Sequence, residues 1–96
     1  MKINLTVILE AKPENSYKLK GLLQNLVVQT KKEIGCLQYD LYQNSDNVNE
    51  FIFHEIWENK AAFDFHNSSE YIKDFFKNSP IILNKAPRVI FTNKIA

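Results

Sequence analysis

The order in which hydrophobic periodicity changes along the chain is the strongest constraint on its fold. Four runs alternate between apolar and polar positions, or present two distinct faces, as β-strands do. These strand runs are residues 3–9, 36–42, 50–57 and 88–94. Three segments instead repeat apolar residues every three or four positions, as amphipathic helices do. These are a long helix from Glu14 to a stop at Gly35 and two short ones, Lys60 to about Asn67 and Glu70 to about Lys77. The predicted order is β-α-β-β-α-β, with the second helix divided.

Residues at the helix ends support these boundaries. Gly35 follows the first helix and is expected to supply a left-handed residue there. Asn59 is a good N-cap for the second helix, since its side chain can accept from the first turn. Pro80 is expected to end the third helix, because proline lacks the amide hydrogen that a helix interior needs.

Two β-α-β halves in 96 residues favour one fold class over other small topologies. This class is the ferredoxin-like α+β sandwich, with a four-stranded antiparallel sheet covered on one face by helices. A chain of this length has room for one core, so residues 1–96 are predicted to form a single domain.

The third strand run predicts a homodimer. Phe51, Phe53 and Trp57 lie on one face of it, and Ile52 and Ile56 lie on the other. One layer of helices covers only one face of a sheet, so a second copy of the chain is the simplest cover for the other face. The expected assembly is a pair of protomers whose sheets face each other.

Composition excludes several classes of function. The net charge is +1 with scattered basic residues, which does not suit nucleic-acid binding. The longest uncharged stretch, Gly21 to Thr30, is too short for a membrane span, and no charged-then-apolar leader is present, so a cytoplasmic location is expected. No metal site is expected, because His54 and Glu55 are adjacent on a strand and point to opposite faces. Phosphate-loop, zinc and calcium motifs are also missing.

Two ionisable residues stand out because they fall on apolar faces. Glu55 shares its strand face with Trp57 and Phe53, where a carboxylate needs a partner. It either bonds a neighbouring polar group and organises the core, or it is a general base with a raised pKa. His66 lies on the inward face of its short helix. It is either a structural histidine or a general base that works near neutral pH.

Aromatic residues near these two could bind a ligand. Trp57 offers a flat wall, although a tryptophan at a strand end is more often core filling. Tyr39 and Tyr71 could donate a hydroxyl to a ligand oxygen, although most buried tyrosines bond the backbone. Cys36 is expected to pack rather than react.

Several motifs together resemble the antibiotic-biosynthesis monooxygenase superfamily. They are Glu33 to Tyr39 (EIGCLQY), Glu50 to Glu58 (EFIFHEIWE), Asn59 to His66 (NKAAFDFH), Ser69 to Ile72 (SEYI), and a first strand ending at Lys12-Pro13. The resemblance covers nearly the whole chain. It implies a ferredoxin-like protomer, a homodimer whose two sheets form a dimeric α/β barrel, and a pocket between sheet and helices in each protomer.

The resemblance also implies an activity. Similar members include small quinol monooxygenases, which oxidise hydroquinone-like or anthrone-like substrates with O₂ and use no metal, flavin or other cofactor. On this basis, His66 or Glu55 would take the proton from a small aromatic substrate. Trp57, Phe53 and Phe75 would form walls, and Tyr39 or Tyr71 would steady the oxyanion.

Departures from the family pattern keep other functions open. Phe53 stands where actinorhodin-type members carry a substrate-binding asparagine, and Tyr71 stands where some members have histidine. Haem-degrading relatives use an asparagine on the first strand, where this chain has Thr6 at the matching position and Asn4 nearby. The alternatives are therefore a haem-degrading monooxygenase, a metabolite isomerase and a non-catalytic ligand-binding or stress-response module.

Overall fold

A computed structural model describes residues 1–96, whose four strands form one antiparallel sheet. The strands are β1 (Ile3–Glu10), β2 (Cys36–Asn44), β3 (Asn47–Trp57) and β4 (Arg88–Thr92). Their order across the sheet is β2-β3-β1-β4. The two central strands, β1 and β3, pair from Ile3 opposite Trp57 to Glu10 opposite Glu50. This register places the most apolar strand, β3, in the interior of the sheet.

Three α-helices connect the strands. They are α1 (Ser16–Thr30), which follows a 3₁₀ turn at Pro13–Asn15, α2 (Lys60–Asn67) and α3 (Glu70–Ile82). The order β-α-β-β-α-β with a divided second helix is confirmed, and so is the ferredoxin-like α+β fold. None of the helices is long and apolar enough to cross a membrane.

The core lies between the helices and one face of the sheet. Alternate residues of the two central strands are buried on this face, as a period of two requires. They pack against the apolar side of α1, which is buried at Leu19, Leu23 and Leu26. The fully buried Trp57 ends β3 beneath the helices and is one of the largest side chains of this core.

The opposite face of the sheet carries no comparable cover. The isoleucines at positions 8, 52, 56 and 90 lie on it and are half-buried rather than buried. His54 is exposed on the same face, where its Nδ1 lies 3.1 Å from Oγ1 of Thr6. We call the four isoleucines the isoleucine face.

The prediction that Pro80 ends α3 is wrong, because the helix continues to Ile82. The nitrogen of Pro80 cannot donate to the carbonyl of Phe76, which is its partner one turn earlier. The hydroxyl of Ser79 donates to that carbonyl instead, over 3.1 Å. A buried side chain therefore satisfies the backbone group that the proline leaves free, and the turn is retained.

The prediction that Gly35 adopts a left-handed conformation is also wrong, since no residue has a positive φ. The helix ends earlier, at Thr30 with Lys31 as its C-cap, and the glycine serves a different purpose. A Cβ atom on Gly35 would lie 2.3 Å from the Cβ of Ala62 on α2. The absence of a side chain lets the loop after α1 approach α2 closely.

Candidate active site

A cavity of about 370 Å³ opens between the sheet and the helices α2 and α3. Hydrophobic side chains make up 12 of its 15 lining residues, and none of the 15 is a lysine or arginine. Phe76, Val89 and Phe91 are partly exposed lining residues. An apolar cavity of this size with a few polar groups is typical of a small-molecule site.

The cavity brings together five of the seven residues predicted from the sequence. Tyr39, Phe53, Glu55, His66 and Phe75 all line it, although they come from two strands and two helices. The other two residues lie outside the lining. Trp57 contacts both Glu55 and His66, and the hydroxyl of Tyr71 donates to Oε2 of Glu33.

Glu55 is a buried carboxyl in the middle of the sheet, opposite Leu5 of β1 and Tyr39 of β2. Its one hydrogen bond in the protein comes from the indole Nε1 of Trp57, which donates to Oε1 over 3.0 Å. Burial disfavours the charged form and raises the pKa of Glu55 from 4.5 to about 7, although the indole bond opposes this effect. The group is therefore able to hold a proton near neutral pH.

His66 is buried on α2, and Asn59 fixes the start of this helix. The Asn59 side chain accepts a 2.8 Å hydrogen bond from the amide of Ala62, so the predicted cap is confirmed. The Nδ1 atom of His66 lies 2.9 Å from Oε2 of Glu33, and this is the one hydrogen bond of its side chain. Burial lowers the pKa of His66 below 6.5, and Glu33 opposes this shift. The imidazole is therefore neutral at pH 7.

Tyr39 is the third polar residue of the cavity. Its ring lies 4.7 Å from that of Phe53 and 5.5 Å from that of His66, measured between centroids. Burial, followed by the nearby Glu55, raises the pKa of Tyr39 far above its ordinary value. Its hydroxyl therefore stays protonated and can serve as a hydrogen-bond donor to a ligand.

Glu33 belongs to the site but was not predicted from the sequence. Its Oε2 accepts from the Tyr71 hydroxyl as well as from His66, and Tyr71 also contacts Thr30 Oγ1 over 3.2 Å. One signal could have revealed it. Glu33 comes just after the carboxyl end of α1, where the helix dipole disfavours an acid. An acidic residue at such a place needs a compensating partner.

The site holds one clear acid-base set and no cluster of metal ligands. No group of three or more His, Cys, Asp or Glu residues could hold a metal ion. A buried carboxyl with a raised pKa and an imidazole with a lowered pKa border the same apolar space. Such a pair can move protons on a bound molecule near neutral pH.

Comparison with known proteins assigns the family. The family "Antibiotic biosynthesis monooxygenase" matches residues 3–78, and the chain belongs to this family. A Bacillus subtilis protein named "Putative monooxygenase YcnE" is 30% identical over 94% of this chain and 95% of its own length. An uncharacterized Synechocystis protein, sll1783, is 34% identical over 92% of this chain. The chain spans only 59% of that relative's length.

Solved structures agree with the assigned fold. PA3566 from Pseudomonas aeruginosa superposes with a TM-score of 0.93 and is 27% identical, covering 99% of this chain and 95% of its own. Rv0793 from Mycobacterium tuberculosis also has a TM-score of 0.93, with coverage of 100% and 97%. At 22% identity the second likeness concerns the fold alone.

Proposed function

We propose that this protein is a monooxygenase that oxidises a small, flat, uncharged aromatic alcohol of the quinol type with O₂ and without a cofactor. The observation that carries the proposal is the pairing of His66 with Glu55 in one apolar cavity. Their pKa values are shifted in opposite directions by burial, so that the base is unprotonated and the acid retains its proton near neutral pH.

The chemistry assigns a separate role to each group. Nε2 of neutral His66 accepts the proton of a substrate hydroxyl, and the resulting electron-rich anion reacts with O₂ to form a ring peroxide. The peroxide takes the proton held by His66, and loss of the ring proton then breaks the O–O bond. The departing hydroxide takes a second proton from Glu55 and leaves as water, and the ring proton restores the protonated form of Glu55. A hydroquinone and O₂ thus give a hydroxyquinone and water. The substrate supplies all four electrons, which is why no external reductant is needed.

The cavity also limits the substrate class. Its volume of about 370 Å³ is near the lower end for small-molecule sites, which suits one to three fused rings. Because no lysine or arginine lines it, a carboxylate or phosphate would be buried without a counter-charge. The Tyr39 hydroxyl can donate to the oxyanion, and Phe53 and Phe75 can contact the ring faces.

A homodimer is part of the proposal. The isoleucine face is the side of the sheet away from the helices, and its four side chains are only half-buried in one chain. A second copy would cover this face by the same surface on both protomers, as in an isologous dimer. The apolar isoleucines there favour such an association.

Oxygen uptake tests the activity. Purified, metal-stripped protein is assayed against hydroquinones and anthrones, with uncatalysed autoxidation subtracted. We expect turnover that falls about 10²-fold or more in His66→Ala and in Glu55→Gln. The chain offers matched controls in His54→Ala, on the opposite face of the sheet, and Glu58→Gln, which is exposed.

The same assay can contradict the proposal. Undiminished turnover in the double variant His66→Ala/Glu55→Gln would remove both groups from the mechanism. Conversion of a substrate without oxygen uptake would instead indicate an isomerase that uses the same acid-base pair. Saturable binding of these aromatics with no conversion would indicate a ligand-binding module.

A further inference from the structure

We propose that Glu33, held by Tyr71, is a positioning residue that keeps the Nε2 atom of His66 unprotonated and aimed at the substrate. The inference deepens the proposed function and rests on it for its catalytic consequence. Its structural content is independent, because it concerns which nitrogen of one imidazole carries the proton.

The contacts of His66 define the arrangement. Nδ1 lies 2.9 Å from Oε2 of Glu33, and a carboxylate oxygen, which carries no hydrogen, can only accept. The Nδ1 atom must then carry the hydrogen, so Nε2 is left as the free lone pair. The one hydrogen bond of the His66 side chain is that of Nδ1, and His66 lines the cavity, whereas Glu33 does not. The imidazole therefore connects the carboxylate on one side with the substrate space on the other.

Tyr71 fixes the orientation of the carboxylate. Its hydroxyl donates to the same Oε2 atom and also contacts Thr30 at the end of α1. Burial, followed by the bond to Glu33, raises the pKa of Tyr71 to about 12, so the hydroxyl remains a donor. Two donors from α2 and α3 converge on one oxygen of a loop residue. Glu33 consequently has little freedom to turn away from His66.

The cost of this arrangement argues against a purely structural role. The second oxygen of Glu33, Oε1, is buried and has no hydrogen-bond partner. An unsatisfied buried acceptor destabilises a fold, and buried charges are rarely kept for stability alone. The side chain of Glu33 is only 9% exposed, so water does not solvate it freely. A side chain with one unsatisfied oxygen and the other held against the base fits a functional role.

Several other titratable groups face His66 and must be considered with Glu33. Tyr39 on β2 and Tyr71 on α3 approach the imidazole with centroid distances of 5.5 and 6.2 Å. Glu55 on β3 lines the same cavity. Burial keeps both tyrosines neutral, and burial favours the protonated form of Glu55 up to about pH 7. Glu33 is the one carboxyl group in hydrogen-bond contact with the ring.

Nitrogen-15 NMR of the histidine side chains tests the structural content directly. The chain has only two histidines, so exposed His54 serves as an internal reference in every spectrum. We expect the wild-type His66 to be the Nδ1–H tautomer. In Glu33→Gln the side-chain amide can donate to Nδ1, so the Nε2–H tautomer should appear and the pKa of His66 should fall further. An unchanged tautomer and pKa in that variant would overturn the proposal.

Kinetics test the catalytic consequence in the same variants. For Glu33→Gln we expect kcat to fall on the order of 10- to 100-fold with little change in KM, as when a catalytic histidine is held in the wrong tautomer. Tyr71→Phe should give a smaller loss in kcat and a mixture of tautomers. Tyr42→Phe, on the opposite face beside His54, is the matched control and should change neither.

The two proposals fail in different ways. If wild-type protein shows no oxygen uptake but the tautomer responds to Glu33→Gln, the proposed monooxygenase activity is wrong and the positioning role stands. If turnover occurs and the tautomer does not respond, the positioning role is wrong. If Glu33→Gln does not fold, Tyr71→Phe serves as the test instead. An unaltered His66 tautomer and an unaltered kcat in Tyr71→Phe would then overturn the positioning role.

Discussion

The indole of Trp57 donates a 3.0 Å hydrogen bond to Oε1 of Glu55, two residues earlier on the same strand. The same indole packs against His66, with ring centroids 4.4 Å apart and planes inclined by 35°. One fully buried aromatic side chain thus contacts both groups of the proposed acid-base pair. Although it does not line the cavity, it affects the proton equilibrium of a residue that does.

The activity of the wild-type protein should have a bell-shaped pH dependence. His66 must be neutral, and because its pKa lies below 6.5, activity is lost only as the pH falls through that lower value. Glu55 must be protonated, so activity is lost as the pH rises through about 7. We expect kcat/KM for oxygen uptake to peak on the acidic side of neutrality. A steady rise from pH 6 to 9 would contradict these roles.

Replacing Trp57 by Phe should move the alkaline limb of this profile to higher pH. The indole hydrogen bond stabilises the carboxylate and therefore lowers the pKa of Glu55, so its loss raises that pKa. The shift is measured from kcat/KM against pH. Tyr42→Phe, which changes an aromatic on the other face, is the control and should leave the limb in place. Movement of the alkaline limb to lower pH would contradict its assignment to Glu55.

Glu55→Gln should stabilise the protein increasingly as the pH rises from 5 to 8. The folded-state pKa of Glu55 is raised from 4.5 to about 7, so its favourable contribution is present below 4.5 and lost as the pH rises through 7. Glutamine keeps an acceptor for the indole but has no charge to bury. We expect a gain of about 1–3 kcal/mol at pH 8 over wild type in urea denaturation.

The exposed variant Glu58→Gln is the matched control for that experiment. It should give a difference from wild type that stays within about 0.5 kcal/mol over the same pH range. An equal response of both variants would show that the effect comes from net charge rather than from burial of one carboxyl.

Replacing each of the two glycines by alanine should have opposite effects on the free energy of unfolding. Gly35→Ala places a Cβ 2.3 Å from the Cβ of Ala62, so we expect a loss of about 1–3 kcal/mol. Gly21 is an exposed residue of α1, and a Cβ atom there would meet no other atom within 4 Å. Because alanine favours a helix more than glycine does, Gly21→Ala should raise the free energy of unfolding by up to about 1 kcal/mol. The free energies of unfolding are compared in urea. Adding Ala62→Gly to Gly35→Ala should restore part of the loss, and the absence of any rescue would contradict the close-contact explanation.

The isoleucine face should mediate dimerisation. Sedimentation at micromolar concentration should give about twice the chain mass of 11.2 kDa for wild type. Ile52→Lys puts a charge at the proposed interface in both copies and should shift the mass towards that of one chain. Ile34→Lys is the control, since Ile34 is exposed in the loop after α1. A monomeric wild-type protein would refute the interface.

The sequence by itself determined the element order and the inward faces. Alternation in residues 50–57 placed Phe53 and Glu55 on the same side of β3, and helical spacing placed His66 inward on α2. These assignments succeed because period and side-chain direction are local properties of the backbone. The cap at Asn59 was predictable for the same reason.

Tertiary structure decided the partners. Glu33 lies 33 positions before His66 and 38 before Tyr71, and no local rule links residues so far apart. The continuation of α3 through Pro80 depended on Ser79, whose buried hydroxyl replaces the missing backbone donor. Position 35 requires glycine because Ala62 lies too close for a side chain, rather than because of a left-handed turn. Local sequence fixes which way a side chain points, but packing between elements fixes what it meets, and the pKa values of Glu55 and His66 follow from that packing.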